Sequence, residues 1–253
     1  MSHRYRFYAP SMPAVGGRHV LSRDETRHAL KAVRMRDGDP VALFDGRGGE
    51  GVGRMEILSG KDAAVVVESA RTAPPPMPSV TLVQAWLNRD APIEHIIWRG
   101  TELGVGRFCF FRAAHSDRPP KRRDKWERWA IEACKQCGRA WLPTFAVAPS
   151  LEAALTDTAG PIAVAAQGPG AAPFGKDAVD AEAGGAFVVG PEGGLTEEEL
   201  TACRRRGARF VSLGAHTLRA EAAAVLGASL MLYELGRFAP PRDGDLPQEG
   251  AKA

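Results

Sequence analysis

A glycine-rich turn follows an apolar run in FVVGPEGGLTEEEL, residues 187–200. Glycines let the main chain approach a ligand closely, and this turn leaves a strand at the end where open α/β sheets bind ligands. The phosphate-binding patterns G-x-x-x-x-G-K-[ST] and G-x-G-x-x-G are both absent, and Glu192 would repel a phosphate. The turn therefore suits a ligand with hydroxyls, amines or positive charge. Thr196 and Glu199 form a capping box, so the acidic helix start is structural.

A second glycine-ended strand, RFVSLG, leads through LGAHTLRAE, residues 213–221, into an apolar helix. Arg219 and Glu221 stand where that helix begins, with His216 close in sequence. Ionisable groups at the mouth of an apolar element either pair with each other or serve a ligand. The sequence leaves both interpretations open, and the two glycine loops can line one crevice.

A third segment, AIEACKQCGRAWLP at residues 130–143, contains a Cys-x-x-Cys pattern. Metal and redox chemistry are disfavoured, because the chain has only four cysteines and places this pair late in a helix. Gln136 and Arg139 are better placed to face a nucleotide. The alternative is a plain helix end at Gly138, and no metal site is expected.

Composition and charge narrow the class of protein. The 253 residues, 44% hydrophobic and 25% charged, indicate a globular chain with a sizeable core. Apolar runs are shorter than the roughly 20 residues of a membrane span, and the N-terminus lacks an apolar signal core, so a cytoplasmic location is expected. Residues 1–36 carry eight Lys/Arg against two acidic residues, and residues 112–128 carry seven against three. Such blocks favour a polyanion surface, with two solvated faces as the alternative.

The elements that must position these groups fall into two parts. Period-two patterns in PVALFDGRG, GVGRMEIL and AAVVVESA predict the strands of a small barrel or sandwich. Helical spacing in SRDETRHALKAVRM predicts a helix before them, with Ser22 and Glu25 as a capping box. The proline-rich residues 71–79 then continue neither element and mark a domain boundary.

Beyond that boundary strands alternate with helices, which is typical of an α/β domain. The continuously apolar strands indicate a parallel sheet covered on both faces, and the last helix is too hydrophobic all round for a surface element. The predicted strands are SVTLVQAW, RFCFF, PIAVAA, AFVVG and RFVSLG, and the predicted helices are APIEHIIWRGTELG, KRRDKWERWAIEACKQCG and EAAAVLGASLMLYELG.

Taken together, GPEGGLTEEEL, LGAHTLRAEAA, AIEACKQCGR and IEHIIWRGTELGV resemble motifs of the RsmE family, which methylates N3 of a uridine in bacterial 16S ribosomal RNA. HRYRFYAP, HALKAVRMRDGD and LFDGRGGE are similar to its N-terminal RNA-binding domain. The resemblance implies a PUA-like β-barrel at residues 1–72 and an α/β SPOUT methyltransferase domain with a deep trefoil knot at residues 78–238. It also implies a homodimer, and the tail at residues 239–253 is expected to be disordered.

The same resemblance implies S-adenosylmethionine as the cofactor, held against the backbone of the two glycine loops. Arg219 is expected to stabilise the uracil anion or to anchor a substrate phosphate, and Glu192 or Glu221 to accept the N3 proton. The expected cofactor contacts are Val189, Gly190, Glu192, Gly193, Leu213, Gly214, Leu218 and Arg219, and the expected RNA contacts are Arg34, Arg36, Arg118, Arg122, Gln136 and Arg139.

The sequence departs from the family pattern in three places. Ala220 and Ala222 stand in two threonine positions, and His216 replaces an arginine. A Ser-Glu-Arg-Ser segment is matched only loosely by residues 116–118. These departures leave two alternatives to the 16S uridine: a SPOUT methyltransferase acting on transfer RNA or 23S ribosomal RNA, and a catalytically weak RNA-binding factor in ribosome assembly.

Overall fold

The N-terminal part of the chain forms a mixed sheet. The structure is a computed structural model that describes residues 5–87, 89–121, 123–168 and 170–239. In the first sheet β1 runs parallel to β3 and the other neighbours are antiparallel, in the order β1-β3-β4-β5-β2. The predicted strands are present, whereas the short β1 and β2 were not expected. The strands are β1 (Tyr5–Tyr8), β2 (Arg18–Val20), β3 (Pro40–Phe44), β4 (Gly49–Ile57) and β5 (Ala63–Thr72).

The predicted N-terminal helix is shorter than its apolar spacing suggests. Helix α1 (Arg23–Arg27) begins where the Ser22 hydroxyl accepts a 3.2 Å hydrogen bond from the Glu25 amide. The chain then widens into a π-helical turn, His28–Val33, which ends at Arg34 with φ 61°. The expected capping box is half formed, because the Glu25 carboxylate lies against the Ser22 hydroxyl at 3.4 Å.

The second sheet is parallel throughout its described strands and carries the loops of interest. Its order is β10-β12-β9-β11-β6-β7-β8. Strands β9, β11, β6 and β7 are largely buried on both faces, as their continuous apolar runs predict. The strands are β6 (Val80–Ala85), β7 (Arg107–Phe111), β8 (Thr144–Ala148), β9 (Ile162–Ala165), β10 (Ala172–Pro173), β11 (Gly185–Val189) and β12 (Arg209–Ser212).

Helices cover both faces of this sheet. One core joins α2, α3 and α6 to one face, centred on buried aromatic residues such as Trp126 and Phe187, and a second core joins α4 and α5 to the other face. Strand β8 and helix α4 were not predicted. The helices are α2 (Asp90–Leu103), α3 (Asp124–Cys137), α4 (Leu151–Thr156), α5 (Glu197–Arg205) and α6 (Ala220–Glu234).

Helix α6 is buried on the side that faces β11 and β6. Gly227 lies so close to the Phe187 ring that a Cβ atom there would overlap it. The prediction that α6 is too hydrophobic for a surface element holds for this side, whereas Leu226 is 37% exposed and Tyr233 is 64% exposed on its outer side. Among the described residues, no helix combines the length and the apolarity needed to cross a bilayer.

The two sheets are joined by direct contacts as well as by the chain between them. The indole N–H of Trp141 donates to the Ala73 carbonyl at 3.1 Å. The amide of Leu142 donates to the Gly46 carbonyl at 3.0 Å, and Gly46 has φ 74°. The segment after α3 therefore packs against the turn between β3 and β4. The tail that is expected to be disordered, residues 239–253, lies outside the described residues apart from Ala239.

Candidate functional site

Five loops leave the second sheet at the same edge, because its strands are parallel. They follow β6, β7, β9, β11 and β12, whose carboxyl ends all point to that edge. We call this region the loop edge and define it as residues 86, 87, 89, 112–118, 166–168, 190–196 and 213–219. Both glycine loops singled out in the sequence belong to it.

The loop after β11 is anchored at its base and open at its tip. Val189 is buried and Gly190 half-buried, whereas Glu192, Gly193 and Gly194 are exposed. The following helix α5 starts with the predicted capping box, in which Thr196 and Glu199 bond reciprocally. The capping residues are therefore structural, and the carboxylate at position 192 remains exposed.

The same helix start affects a neighbouring acid. Glu198 accepts hydrogen bonds from its own amide and from the Thr196 hydroxyl, which lower the pKa of its carboxyl. Its negative charge lies at the positive end of the helix dipole. The acidic run Glu197–Glu199 is accounted for in this way by helix formation.

The loop after β12 opens a space beside helix α6. Gly214 has φ 118°, with no atom within 4 Å of a Cβ atom placed there, while Leu213 and Leu218 are half-buried beside it. Arg219 is the exposed N-cap residue of α6 and makes no side-chain capping bond. Among the described residues Arg219 and Glu221 form no ion pair with each other, so the sequence alternative of a mutual pair is not realised.

The two threonine positions occupied by alanine differ in environment. Ala220 is 8% exposed at the start of α6, whereas Ala222 lies on the exposed side of that helix. A hydroxyl at position 222 would reach solvent, and one at position 220 would press into the protein. Of the two positions, 222 is therefore the one where the missing hydroxyl would be accessible from solvent.

A third loop, after β9, joins the second glycine loop. The Thr217 hydroxyl donates to the side-chain oxygen of Gln167 at 3.3 Å. The Gln167 amide in turn donates to the His216 carbonyl at 3.5 Å. Gln167 therefore fixes the backbone of the loop in which Gly214 and Arg219 lie.

The loop after β7 contacts the first glycine loop. The sequence-based expectations did not include His115 of this loop. His115 places Nδ1 3.0 Å from the Gly194 carbonyl oxygen. The Ala114 amide donates to Glu199 at 2.9 Å, and the buried Ser116 hydroxyl donates to the Trp86 carbonyl at 3.0 Å. The sequence signal that could have identified this loop is the polar group placed directly after RFCFF, the strand β7 that pairs with β6.

A buried glutamine lies beneath the first glycine loop. Gln84, in β6, is fully buried and donates from its side-chain nitrogen to the Ala85 carbonyl at 2.9 Å and the Gly190 carbonyl at 3.5 Å. Its side-chain oxygen has no hydrogen-bond partner among the described residues. A buried acceptor without a partner is costly, and this one lies next to a loop expected to hold a ligand.

The expected RNA contacts lie in separate parts of the structure. Arg34 and Arg36 are exposed after the π-helical turn, and Arg118 is exposed at the loop edge. Gln136 is exposed near the end of α3, the helix that packs against β1. Arg122 lies outside the described residues.

Arg139 differs from these residues because its side chain is already engaged. Its Nη1 atom donates to the carbonyls of Thr101 at 3.1 Å and Val105 at 2.7 Å, at the C-terminal end of α2. Burial lowers the pKa of its guanidinium, and the thiols of Cys134 and Cys137 oppose that shift. The Arg139 side chain therefore stabilises the fold through these hydrogen bonds, in addition to any contact that it makes with RNA.

The Cys-x-x-Cys pair occupies the last turn of α3 without a metal-ligand cluster around it. Cys134 is buried and Cys137 exposed, and no group of three His, Cys, Asp or Glu suited to a metal occurs in the described ranges. A hydrogen bond from the Cys134 thiol, followed by the Arg139 amide and two guanidinium charges, lowers the pKa of Cys137 below its usual value. The Cys134 pKa is raised by the same bond and by burial.

A surface cleft of about 490 Å³ lies away from the loop edge, between α1 and α3. Its lining has opposite charges that pair locally, as in Arg27 with Asp24 and Lys135 with Glu132. Paired charges leave little net field to select an ionic ligand. The loop edge is the better candidate site, because it lies over the unpaired side-chain oxygen of Gln84 and has open space beside Gly214.

Two family models match this chain. One described as an RNA methyltransferase domain matches residues 74–232, and one described as an RNA methyltransferase PUA domain matches residues 21–68. The first covers more than half of the chain. The predicted α/β fold with an N-terminal PUA-like domain is therefore confirmed.

Named relatives agree with these matches. The chain is 31% identical over 236 residues to Ribosomal RNA small subunit methyltransferase E of Mycobacterium bovis, covering 87% of this chain and 88% of that one. It is 25% identical over 235 residues to the protein of the same name from Bacillus subtilis, covering 85% and 89%. A crystal structure of Ribosomal RNA small subunit methyltransferase E from Neisseria gonorrhoeae, bound to S-adenosyl methionine, matches with a TM-score of 0.78 at 28% identity, covering 91% and 98%. The chain belongs to the RsmE family of RNA methyltransferases.

Proposed function

We propose that this protein transfers a methyl group from S-adenosylmethionine to N3 of a uridine in 16S ribosomal RNA of the small subunit. The observation that carries the proposal is the loop edge, where two glycine loops expose main-chain groups beside Arg219 and offer no lysine for a phosphate. The relatives named for small-subunit ribosomal RNA methylation support the same substrate class. The cytoplasm, where ribosomal subunits are made, is the proposed location.

The loop edge suits the proposed cofactor in shape and charge. Gly214 leaves open space, while Leu213 and Leu218 offer apolar surface to an adenine ring. Exposed Glu192 tolerates a sulfonium, whose positive charge would be repelled by a lysine at this position. When bound, S-adenosylmethionine supplies an electrophilic methyl group. We propose that it is held by Val189, Gly190, Glu192, Gly193, Leu213, Gly214, Leu218 and Arg219.

The reaction requires a proton to leave the substrate. Uracil N3 carries a proton at neutral pH, and the anion formed on its loss is spread over two carbonyl oxygens. We propose that exposed Arg219 donates hydrogen bonds to that anion or anchors a substrate phosphate. Glu192 and Glu221 are candidate proton acceptors, because both carboxylates lie in or beside the two glycine loops.

The N-terminal PUA-like domain is proposed to bind the RNA around the target. Arg34 and Arg36 are exposed, and cations at such positions gain by displacing phosphate counterions. Arg118 adds an exposed cation at the loop edge. We retain the boundaries 1–72 and 78–238 for the two domains, since the first sheet ends at Thr72 and the second begins at Val80.

We also propose that the C-terminal domain is knotted. The chain from β9 runs out to β10, at the sheet edge beyond β12, and returns to β11 with Ala178 buried against the α6 core. Helix α6 contacts β11 and β6, and we propose that the segment from β12 to α6 passes within that excursion to reach them. Knots are very rare in proteins, and the proposed threading would set the β12–α6 connection beside the first glycine loop.

A homodimer is proposed as the working form. Leu226 and Tyr233 on the outer side of α6, and Phe238 after it, expose 37%, 64% and 48% of their surface. Large apolar side chains grouped on one helix often mark a protein contact. Sedimentation measurements should give twice the monomer mass, and a monomer at micromolar concentration would contradict this part of the proposal.

The function is tested by mapping modified nucleosides in ribosomal and transfer RNA from a deletion strain. Loss of 3-methyluridine from 16S RNA alone is the expected result. Loss from transfer RNA or 23S RNA would identify the alternative methyltransferase. No loss from any RNA would favour the alternative of a catalytically weak RNA-binding assembly factor. That alternative is based on the alanines at positions 220 and 222.

The purified enzyme provides the matching site test. Replacing Arg219 with Ala should reduce methyl transfer at least about 100-fold, in the range seen for removal of one anion-stabilising donor. Affinity for S-adenosylhomocysteine should change little, because Arg219 is proposed to contact the cofactor through its main chain, and the oligomeric state should persist, because the side chain makes no capping bond. Undiminished activity would remove Arg219 from the site.

A further inference from the structure

His115 lies at the loop edge with its ring against the first glycine loop. It follows β7, which pairs with the central strand β6. A Cβ atom at Gly193 would come within 3.1 Å of the His115 Cβ atom and 3.3 Å of its Cγ atom. The glycine at position 193 therefore leaves room for the imidazole as well as for a cofactor.

The contact with Gly194 determines which ring nitrogen carries the proton in the neutral imidazole. Nδ1 lies 3.0 Å from the Gly194 carbonyl oxygen, which can only accept a hydrogen bond. Nδ1 must therefore donate, and Nε2 keeps its lone pair. Within the described ranges, the structure gives Nε2 no protein partner.

The backbone on both sides of His115 is fixed, whereas its ring is exposed. Ala114 is held by Glu199, and Ser116 is held by the Trp86 carbonyl. An exposed ring contributes little to the hydrophobic core. The arrangement presents an acceptor atom at a defined position, as required of a group that takes a proton from a docked base.

The acids of the loop edge and of the starts of α5 and α6 are less suited to the task. Glu199 accepts hydrogen bonds from the amides of Thr196 and Ala114, so its oxygens are already used. Glu192 and Glu221 are available, but an ionised carboxylate is in general a weaker base than a neutral imidazole. Removing a proton from the weakly acidic uracil N3 favours the stronger base.

We infer that His115 is a catalytic residue whose Nε2 atom accepts the N3 proton of the target uracil. The inference rests on the proposed function. It assigns the role of proton acceptor, for which Glu192 and Glu221 were the earlier candidates, to His115. The N3 proton passes to Nε2. The electron pair of the broken N3–H bond stays on N3 and forms the new bond to the methyl carbon. The electron pair of the broken carbon–sulfur bond stays on sulfur, and the imidazolium returns its proton to water.

The test uses the full-length enzyme, 16S RNA and purified His115→Ala and His115→Gln variants. Single-turnover methyl transfer should fall by about 10²- to 10⁴-fold in both, since that is the usual contribution of a positioned base. Added imidazole should restore a large part of the rate in His115→Ala, where a space is left, and much less in His115→Gln. His95→Ala, a change of an exposed histidine on α2, is the matched control and should behave as wild type.

Binding measurements separate a catalytic role from a supporting one. Affinities for S-adenosylhomocysteine and for RNA should stay within about twofold of wild type in both variants, because the rest of the loop is held by Glu199 and Trp86. Weakened binding that accounts for the whole loss, with no imidazole rescue, would overturn the inference. A rate defect in Glu192→Gln or Glu221→Gln larger than in His115→Gln would overturn it as well.

The nucleoside that wild-type protein forms in 16S RNA separates this test from the test of the proposed function. If wild-type protein forms no 3-methyluridine in 16S RNA, the proposed function fails before any variant is compared. If it does and His115→Ala keeps the full rate, only the role of His115 is lost.

Discussion

The guanidinium of Arg6 donates a 2.9 Å hydrogen bond to the carbonyl of Arg139, although the two residues are 133 positions apart. A second bond of 3.1 Å reaches the Cys134 carbonyl, so β1 is tied to the C-terminal end of α3. The same side chain pairs with Glu50 at 2.9 Å and is only 8% exposed. Arg6 therefore links the first sheet to the methyltransferase domain.

Replacing Arg6 with Ala should lower the free energy of unfolding by about 2–4 kcal/mol, since buried carbonyls lose a charged donor and Glu50 loses a partner. Urea unfolding followed by circular dichroism measures the change. The matched control is Arg71→Ala, which removes the other arginine on Glu50 but is 44% exposed. It should cost less than about 1 kcal/mol, and equal losses in the two variants would show that the domain contact is not the source.

Replacing Arg139 with Ala should lower the free energy of unfolding by about 1–3 kcal/mol, because the carbonyls of Thr101 and Val105 lose their donor. Gln136→Ala, an exposed change on the neighbouring helix turn, should stay within about 0.5 kcal/mol. RNA affinity measured on both variants completes the comparison. An Arg139 variant of normal stability that binds RNA weakly would assign the side chain to RNA instead of the fold.

Cys137 should react with iodoacetamide at neutral pH faster than an ordinary thiol. The Cys134 hydrogen bond, the Arg139 amide and nearby cations lower the pKa of Cys137, so its thiolate persists to a lower pH than usual. Mass spectrometry of labelling rates against pH measures this. Cys134→Ala should slow labelling at pH 7, because loss of the hydrogen bond raises the Cys137 pKa.

Two buried thiols serve as internal references for that labelling. Burial raises the pKa of Cys109 and raises that of Cys203 to about 11. Both should be modified only after unfolding. Labelling of either before Cys137 in the native protein would contradict the expected order.

Replacing Gly227 with Ala should destabilise the protein, although alanine is the better helix former by about 1 kcal/mol. A Cβ atom at position 227 would overlap the Phe187 ring, and such overpacking typically costs about 1–3 kcal/mol or more. Thermal unfolding should show a lower midpoint. Gly60→Ala, where a Cβ atom meets no other atom within 4 Å, should be nearly neutral, and a stabilised Gly227→Ala would refute the close packing of α6 on β11.

Local patterns in the sequence were sufficient for much of the fold. Alternating and continuous apolar runs predicted most of the strands, and the Thr196–Glu199 capping box formed as expected. Strands β1 and β2 escaped prediction because they are only four and three residues long, so their pairing depends on distant partners. The π-helical turn was missed because it preserves the buried position of Ala29 while changing the backbone.

Residue chemistry alone argued against a phosphate ligand in the first glycine loop and placed Arg219 and Glu221 at the start of an apolar helix. Only the tertiary structure placed His115 against Gly194, seated Gln84 beneath Gly190, and engaged Arg139 with the end of α2. These contacts join residues 34 to 106 positions apart. Short-range periodicity cannot encode them, because they depend on which parallel strands become neighbours and on which edge their loops then share.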